Sequence, residues 1–400
     1  MTVKQKVPVE TLRQGMYVVE LDRPWLGTPF DFQGFAITSP DQIKTLKQYC
    51  KSVLIDPERD AASASPSPRA PGTVPVRGTE VYSEATPVEK EVLRAREIFV
   101  DCQQAFMQSF DGLRSNQKLD TQRLRSAVSS MTESILRNPH AMILLAKMKQ
   151  KGEYELRRAV DTSVLMITFG RFLQLSRERI ELLGLAGLLL DVGKVRVPDA
   201  ILKKQDLLSP EEYEIAKAHV VHSAEIIRAD ASLPKELADM VLLHHETQDG
   251  SGYPRGLRGA EISLDGSIAA LVDCYSALTS VRPYAEQLSP SNALSTLYKL
   301  RGKLFHEALV EQFIQCIGIY PVGSVVELNT GEIGIVIAQN LVRRLQPRVM
   351  VILDRDLKLM NPQKVLDLLK QPKATADEPY RIRRTLQADK LPIDPRDFFL

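Results

Sequence analysis

Residues 61–72 read Ala-Ala-Ser-Ala-Ser-Pro-Ser-Pro-Arg-Ala-Pro-Gly, and a stretch of that composition cannot bury a core. It divides the chain into a short leading part and a long remainder, each obliged to fold around its own apolar residues. Before the break, residues 6–56 alternate apolar and polar positions in Met16-Tyr-Val-Val-Glu-Leu, Phe32-Gln-Gly-Phe-Ala-Ile and Ser52-Val-Leu-Ile. Proline and glycine punctuate them, which predicts a small α+β module with a few short strands over residues 1–59. A flexible linker is expected over 60–86.

From Pro87 onward the apolar spacing turns helical. Residues 89–114 carry Val92, Ile98, Phe99, Ala105, Phe106 and Phe110 between charged positions. That helix suits packing on the main domain, the commoner outcome, or a coiled-coil arm in a homodimer. Further helices are expected near 122–137, 153–175, 179–190, 210–230, 234–246, 264–280, 290–301 and 305–316. Residues 87–149 read as a helical lead-in and 150–317 as the main helical domain. At Gly318 the pattern changes again: Ser324-Val-Val-Glu-Leu and Ile333-Gly-Ile-Val-Ile-Ala flank Asn329-Thr-Gly-Glu, a hairpin signal. Val349-Met-Val-Ile-Leu adds a strand, so 318–400 is expected to hold a small β subdomain whose last twenty residues are loosely tied. The fold class is mainly α, a helical bundle with small modules at both ends.

Of 400 residues, 52 are Lys or Arg and 50 are Asp or Glu, for a net charge of +2. No bulk attraction to a nucleic acid polymer or an anionic membrane follows from that balance. Cys50, Cys102, Cys274 and Cys316 lack Cys-x-x-Cys spacing and read as reduced thiols. The longest apolar run, Leu182–Leu190, is far short of the ~18 residues that span a bilayer. A cytoplasmic protein is expected.

Histidine is scarce, six in the chain, yet four fall between positions 219 and 245. His219 and His222 share a helix face at i, i+3. His244 and His245 are adjacent, and adjacent side chains on a helix diverge by about 100 degrees. Both reach one ion only near a helix end, which Thr247-Gln-Asp-Gly-Ser-Gly-Tyr-Pro supplies just downstream. Asp191 follows a run of leucines, and Asp273 interrupts Ile268-Ala-Ala-Leu-Val. A carboxylate in such a setting is costly unless a metal ion or an arginine pairs with it. Two carboxylates and three or four histidines suit iron, manganese or zinc, and with no cysteine nearby a structural zinc site is disfavoured. A lone helix-borne histidine is more often hydrogen-bonded than ligating, so His140 and His306 receive no role. His222 is left open between ligand and bystander.

The stretch Leu189–Asp199, then His219, then His244-His-Glu-Thr-Gln-Asp-Gly-Ser-Gly-Tyr-Pro-Arg-Gly-Leu, then Asp273-Cys-Tyr-Ser-Ala-Leu-Thr-Ser-Val-Arg-Pro-Tyr, resembles the HD-GYP domain over about residues 150–320. The N-terminal module is similar to the small domain of unknown function that often precedes it, and Gly318–Leu353 to its usual C-terminal extension. The resemblance implies an HD-superfamily helical core that hydrolyses cyclic di-GMP with two or three divalent ions, often iron or manganese. It implies that Asp191 bridges ions, that His219, His244 and His245 complete one ion's shell, and that Asp273 serves the other. It assigns Lys194 and Arg282 to the phosphates and makes Asp191 and Lys194 the catalytic pair. Gly252, Tyr253 and Pro254 form the loop that names the family, a substrate-binding element and a candidate docking surface for a diguanylate cyclase domain.

Two histidines of that pattern are replaced. The His-Asp pair reads Leu190-Asp191, and the histidine of the preceding helix reads Arg158 in Tyr154-Glu-Leu-Arg-Arg-Ala-Val-Asp. Ser276 stands for the second aspartate of Asp-x-x-Asp-Ala-Leu-Thr-Ser, and Ala285 for a basic residue. A guanidinium at 158 would pair with Asp191 and Asp273 and substitute charge for a missing ion. The expectation is one iron or manganese ion, and cyclic di-GMP or partner binding with weak or no turnover. A working phosphodiesterase and a helical interaction scaffold are the alternatives.

Overall fold

The computed structural model describes residues 5–22, 35–37, 40–55, 76–115, 117–147, 154–204, 206–280, 287–340, 343–387 and 391. It falls into two compact units, Met1–Thr73 and Val74–Leu400.

In the first unit the strands are β1 (Gln5–Pro8), β2 (Tyr17–Leu21), β3 (Phe35–Ala36) and β4 (Ser52–Ile55), with helix α1 (Pro40–Tyr49) before the last. They form an antiparallel sheet in the order β1-β4-β2-β3. Alternate residues Val18, Val53 and Ile55 meet Leu46 of α1 in a core of their own. The α+β character read from the alternation is what forms.

The second unit begins with α2 (Val88–Arg114), α3 (Thr121–Arg137), α4 (Pro139–Lys147), α5 (Tyr154–Phe172) and α6 (Arg177–Leu189). Then come α7 (Asp199–Leu202), α8 (Pro210–Lys217), α9 (His219–Arg228), α10 (Lys235–Leu242), α11 (Leu264–Leu278), α12 (Pro290–Leu300) and α13 (Glu307–Ile317). The starts are capped as the sequence dictates. Asp120, Ser176, Ser209, Ser263 and Ser289 each accept a backbone N–H of the first turn. Helix α4 was missed because Asn138-Pro139 looks like a stop. It is a start: the Asn138 side chain accepts from His140 N and Ala141 N at 2.9 and 3.2 Å, and proline tolerates the first helical position. The single helix expected over 210–230 is two, breaking at Ala218, and the one expected over 234–246 ends at Leu242.

Residues of the lead-in, Phe99, Phe106, Met131 and Leu144 among them, are buried in the same core as Met166, Leu188 and Val241. The lead-in therefore has no core apart from the main helices. Residues 76–86, at the end of the expected linker, are held in place. Gly78 N and Glu80 N donate to Leu173 O and Gln174 O, and the Tyr82 hydroxyl donates to Leu175 O at 2.7 Å. Flexibility there is corrected; residues 56–75 lie outside the described residues.

The chain ends in strands β5 (Val325–Leu328), β6 (Ile333–Ala338), β7 (Arg348–Leu353), β8 (Leu359–Asp367) and β9 (Ile382–Leu386), antiparallel in the order β8-β7-β6-β5-β9. On β6, Ile333, Ile335 and Ile337 join the helical core, while Val336 points into a second cluster with Val326, Leu328 and Val349. A sheet apolar on both faces explains the unbroken run Ile333–Ala338. The loose ending expected for the last twenty residues is wrong for β9, which pairs with β5 from Val325↔Leu386 to Leu328↔Ile382. Among the described residues no helix is long and apolar enough to cross a membrane.

Candidate metal centre

The site is assembled where the end of α6, the start of α9 and the turn after α10 meet. Asp191 follows the buried leucines of α6 and leads into a 3-10 turn, Val192–Arg196. Gly193 lets that turn lie directly on α9. A Cβ there would sit 2.2 Å from His219 O and 2.4 Å from Ser223 N, and Gly193 N donates to Ser223 Oγ at 2.7 Å. This close approach brings Asp191 Oδ1 to 3.2 Å from His219 Nε2.

His244 and His245 stand in the turn after α10, and the ligand atoms of His219, His244 and His245 lie within 4.8 Å of one another. The bend past the helix end is what allows adjacent histidines to converge. His219 Nδ1 faces Ala216 O at 2.7 Å and His244 Nδ1 faces Val241 O at 2.6 Å. Each carbonyl fixes the proton on Nδ1 and leaves Nε2 as a lone-pair donor toward the centre. Both Nε2 atoms are buried; His244 Nε2 has no hydrogen-bond partner and lies 4.0 Å from Asp191 Oδ1. Burial lowers the His244 imidazole's pKa, and burial together with His244 and His219 holds that of His245 well below the ordinary range. Nitrogen donors with a carboxylate are a donor set that a divalent ion of the iron, manganese or zinc type takes. The His219, His244 and His245 group could hold such an ion, with the Asp191 carboxylate 3.2 Å from His219 Nε2.

The other side of Asp191 is different. The Arg158 guanidinium, on the first turns of α5, pairs through Nη1 with Asp191 Oδ2 and through Nη2 with Asp273 Oδ1 of α11. Lys194 Nζ adds a contact to Asp191 Oδ2 at 3.1 Å. Burial works to raise the Asp191 carboxyl's pKa, yet Arg158, Lys194 and His219 hold it well below the usual carboxylate range. Leu190 is buried, and with Phe106, Phe110 and Arg158 it lines a cavity of about 10 Å³, the scale of a single water. Ser276 accepts from the Thr162 hydroxyl at 3.0 Å in the seam between α5 and α11.

The Gly-Tyr-Pro loop closes over His245. Gly252 is required because a Cβ would meet His245 O and Thr247 N at 2.5 Å. Tyr253 N donates to His245 O, and the Tyr253 ring lies 4.8 Å from the His245 ring. Pro254, the loop's third named residue, is exposed. Sequence reasoning missed Glu246, which is buried and accepts from Arg255 N at 2.7 Å and Leu257 N at 3.0 Å. The available signal was a carboxylate next to a glycine-rich loop whose backbone donors have no ladder to join. His222 stays outside the histidine cluster, its Nδ1 at 3.6 Å from Glu225 Oε2. Arg282 and Ala285 lie outside the described residues.

Residues 140–309 match the HD domain family, residues 4–124 a domain of unknown function (DUF3391), and residues 325–380 a KOW domain associated with HD domain. The chain is 33% identical over 371 residues to the cyclic di-GMP phosphodiesterase PA4108 of Pseudomonas aeruginosa, covering 91% of this chain and 89% of that one. It is 40% identical to a cyclic di-GMP phosphodiesterase of Thermotoga maritima over 31% of this chain and 34% of that protein. With the response regulator RpfG of Xanthomonas campestris, a cyclic di-GMP phosphodiesterase by name, identity is 36% over 36% of this chain and 38% of that one. A solved structure, Bd1817, a HDG"Y"P protein from Bdellovibrio bacteriovorus, aligns with 78% of this chain and 98% of its own at 15% identity and a TM-score of 0.47. With its HD domain, its preceding DUF3391 and a full-length relative at this identity, the chain belongs to the HD-GYP family.

Proposed function

We propose that this chain is a cytoplasmic cyclic di-GMP signalling protein that holds one divalent ion, iron or manganese, and turns the nucleotide over weakly or not at all. Asp191, His219, His244 and His245 hold the ion. Bound there, it supplies a Lewis acid for a phosphate oxygen and lowers the pKa of water. Lys194 and Arg282 contact the phosphates, and the Gly252-Tyr253-Pro254 loop shapes the mouth and offers a face to a diguanylate cyclase domain.

The observation that carries the reading is the Arg158 guanidinium spanning Asp191 and Asp273. A second ion would need those same carboxylate oxygens, and Leu190 offers no nitrogen in its place. Arginine matches the charge balance of two carboxylates but cannot ionise water, because a guanidinium stays protonated and has no coordination site for water. Loss of one catalytic ion removes several kcal/mol of transition-state stabilisation, on the order of 10³-fold in rate. A second reading, an active phosphodiesterase, is favoured by the names of the relatives and by the intact four-residue set.

Incubating manganese- or iron-loaded protein with cyclic di-GMP, and following both linear product and binding by calorimetry, separates the two. Saturable binding without multiple turnover is the expected result. Sustained multiple turnover sinks the proposal, and no binding of either kind leaves the chain an interaction scaffold.

A further inference from the structure

A row of side chains runs outward from the histidine cluster along the Gly-Tyr-Pro loop, and the ion chemistry leaves it unused. The Tyr253 ring lies 4.8 Å from that of His245. The Lys217 ammonium lies 5.4 Å from the Tyr253 centroid and 5.2 Å from the centroid of Tyr213. Both distances fall within the ~6 Å at which an aromatic ring attracts a cation. Local structure sets the row. Tyr213 and Lys217 stand four residues apart on α8 and so share a face. The break at Ala218 then leaves Lys217 two residues before His219, the first residue of α9.

The outer end of the row is open to solvent. Tyr213 is 50% exposed and the Lys217 side chain 23%. Lys217 Nζ pairs with Glu214 Oε1 at 2.6 Å, and Glu214 is itself largely exposed. An ammonium has three donors, so this pair leaves two. An exposed pair contributes little to stability, so a ligand acceptor displaces or shares it at small cost.

A half-exposed ring beside a steadied cation is what a nucleobase takes. The ring supplies a stacking face for any base. Lysine donors suit guanine, which presents O6 and N7 as neighbouring acceptors, whereas adenine presents an N6 donor in place of O6. The direction of the row also fits. With the phosphates at the histidine cluster and Lys194, the path past Tyr253 to Tyr213 leads outward, as the base does from the phosphate across the ribose.

Resting on the cyclic di-GMP reading above, we infer that Tyr213 and Lys217 form a guanine subsite at the mouth of the site. Tyr213 stacks on one base, and Lys217 donates to its O6 and N7 and selects guanine over adenine. Neither residue holds the ion.

The test is calorimetric titration of the full manganese-loaded chain with cyclic di-GMP and with cyclic di-AMP. The parent prefers cyclic di-GMP. Tyr213→Ala weakens both nucleotides by about 5- to 150-fold, the range of one stacked base, and keeps its melting temperature because the ring is half exposed. Lys217→Met keeps the apolar stem and lowers the preference for cyclic di-GMP on the order of tenfold, while Lys217→Arg retains it. Manganese affinity without nucleotide is unchanged in all three variants. Equal losses for both nucleotides in Lys217→Met overturn the guanine reading and make Lys217 a phosphate contact. A parent without preference overturns it too, as does a Lys217→Met chain that also loses manganese. A parent that binds cyclic di-GMP, with Tyr213→Ala and Lys217→Met indifferent, overturns this inference alone. A parent that binds neither nucleotide removes the functional reading and the inference together.

Discussion

The two sides of Asp191 make opposite uses of one carboxylate. Toward α9 and α10, its Oδ1 faces the buried Nε2 atoms of His219 and His244 at 3.2 and 4.0 Å. Toward α5 and α11, its Oδ2 and the neighbouring Asp273 are met by the Arg158 guanidinium. One half is a donor set that could take a cation from solution; the other contains its cation as part of the chain. Charge balance and water activation are separable: a guanidinium supplies the first and, on the reading proposed above, not the second.

Removing the built-in cation breaks the comparison most severely. Arg158→Ala leaves two buried carboxylates uncompensated, and the expected loss is about 3–5 kcal/mol in stability. Thermal melts with and without manganese report it. A partial rescue by the ion, with a second equivalent bound, marks the carboxylates as an ion site once vacated. An unchanged melting temperature contradicts the pairing.

On the same helix, Asp161 has an oxygen sealed from solvent without a partner, and burial pushes its carboxyl up to about 7 against weaker opposing pulls from Lys147 and Arg157. Its folded pKa is above the unfolded value, so the native state binds more protons between pH ~4 and ~7, and stability falls as pH rises through that window. Asp161→Asn removes this loss, a gain on the order of 3 kcal/mol at neutral pH. Melting temperature against pH checks it; a variant with the same slope as the parent refutes the assignment.

The histidine half is sharpened by His244→Ala. His244 is buried and bonded to Val241 O, so the variant is destabilised without metal as well; the metal-dependent part is the loss of the stabilisation of about 2.7 kcal/mol given by an ion at a hundred times its dissociation constant. Calorimetric titration with manganese is the direct check, and unaltered affinity argues against His244 as a ligand. The smallest expected effect is Glu246→Gln, which keeps the shape but leaves one acceptor oxygen for two donors, so one of the bonds from Arg255 N and Leu257 N is lost at a cost of about 1 kcal/mol. Faster hydrogen exchange confined to residues 250–258 is the expected readout.

Much of this was legible in the sequence because it rests on local rules. The stop after α10 and the convergence of His244 and His245 follow from two glycines and a proline downstream. The helical body and the three strands β5 to β7 follow from periodicity. What was not legible depends on contacts between distant segments. The register of β9 against β5 is invisible in Arg381–Leu386, whose exposed arginines resemble a tail. The start of α4 is hidden because Asn-Pro signals either a stop or a cap. Gly193 shows its purpose only once α9 lies on it. Glu246 reads as one more charge until the loop folds back to its carboxylate.

The most direct test of the account is a count of ions per chain. Purified protein, saturated with manganese or iron and freed of excess, is measured by elemental analysis beside the Leu190→His/Arg158→His variant. One ion in the parent and two in the variant are expected. Two or more in the parent would contradict it.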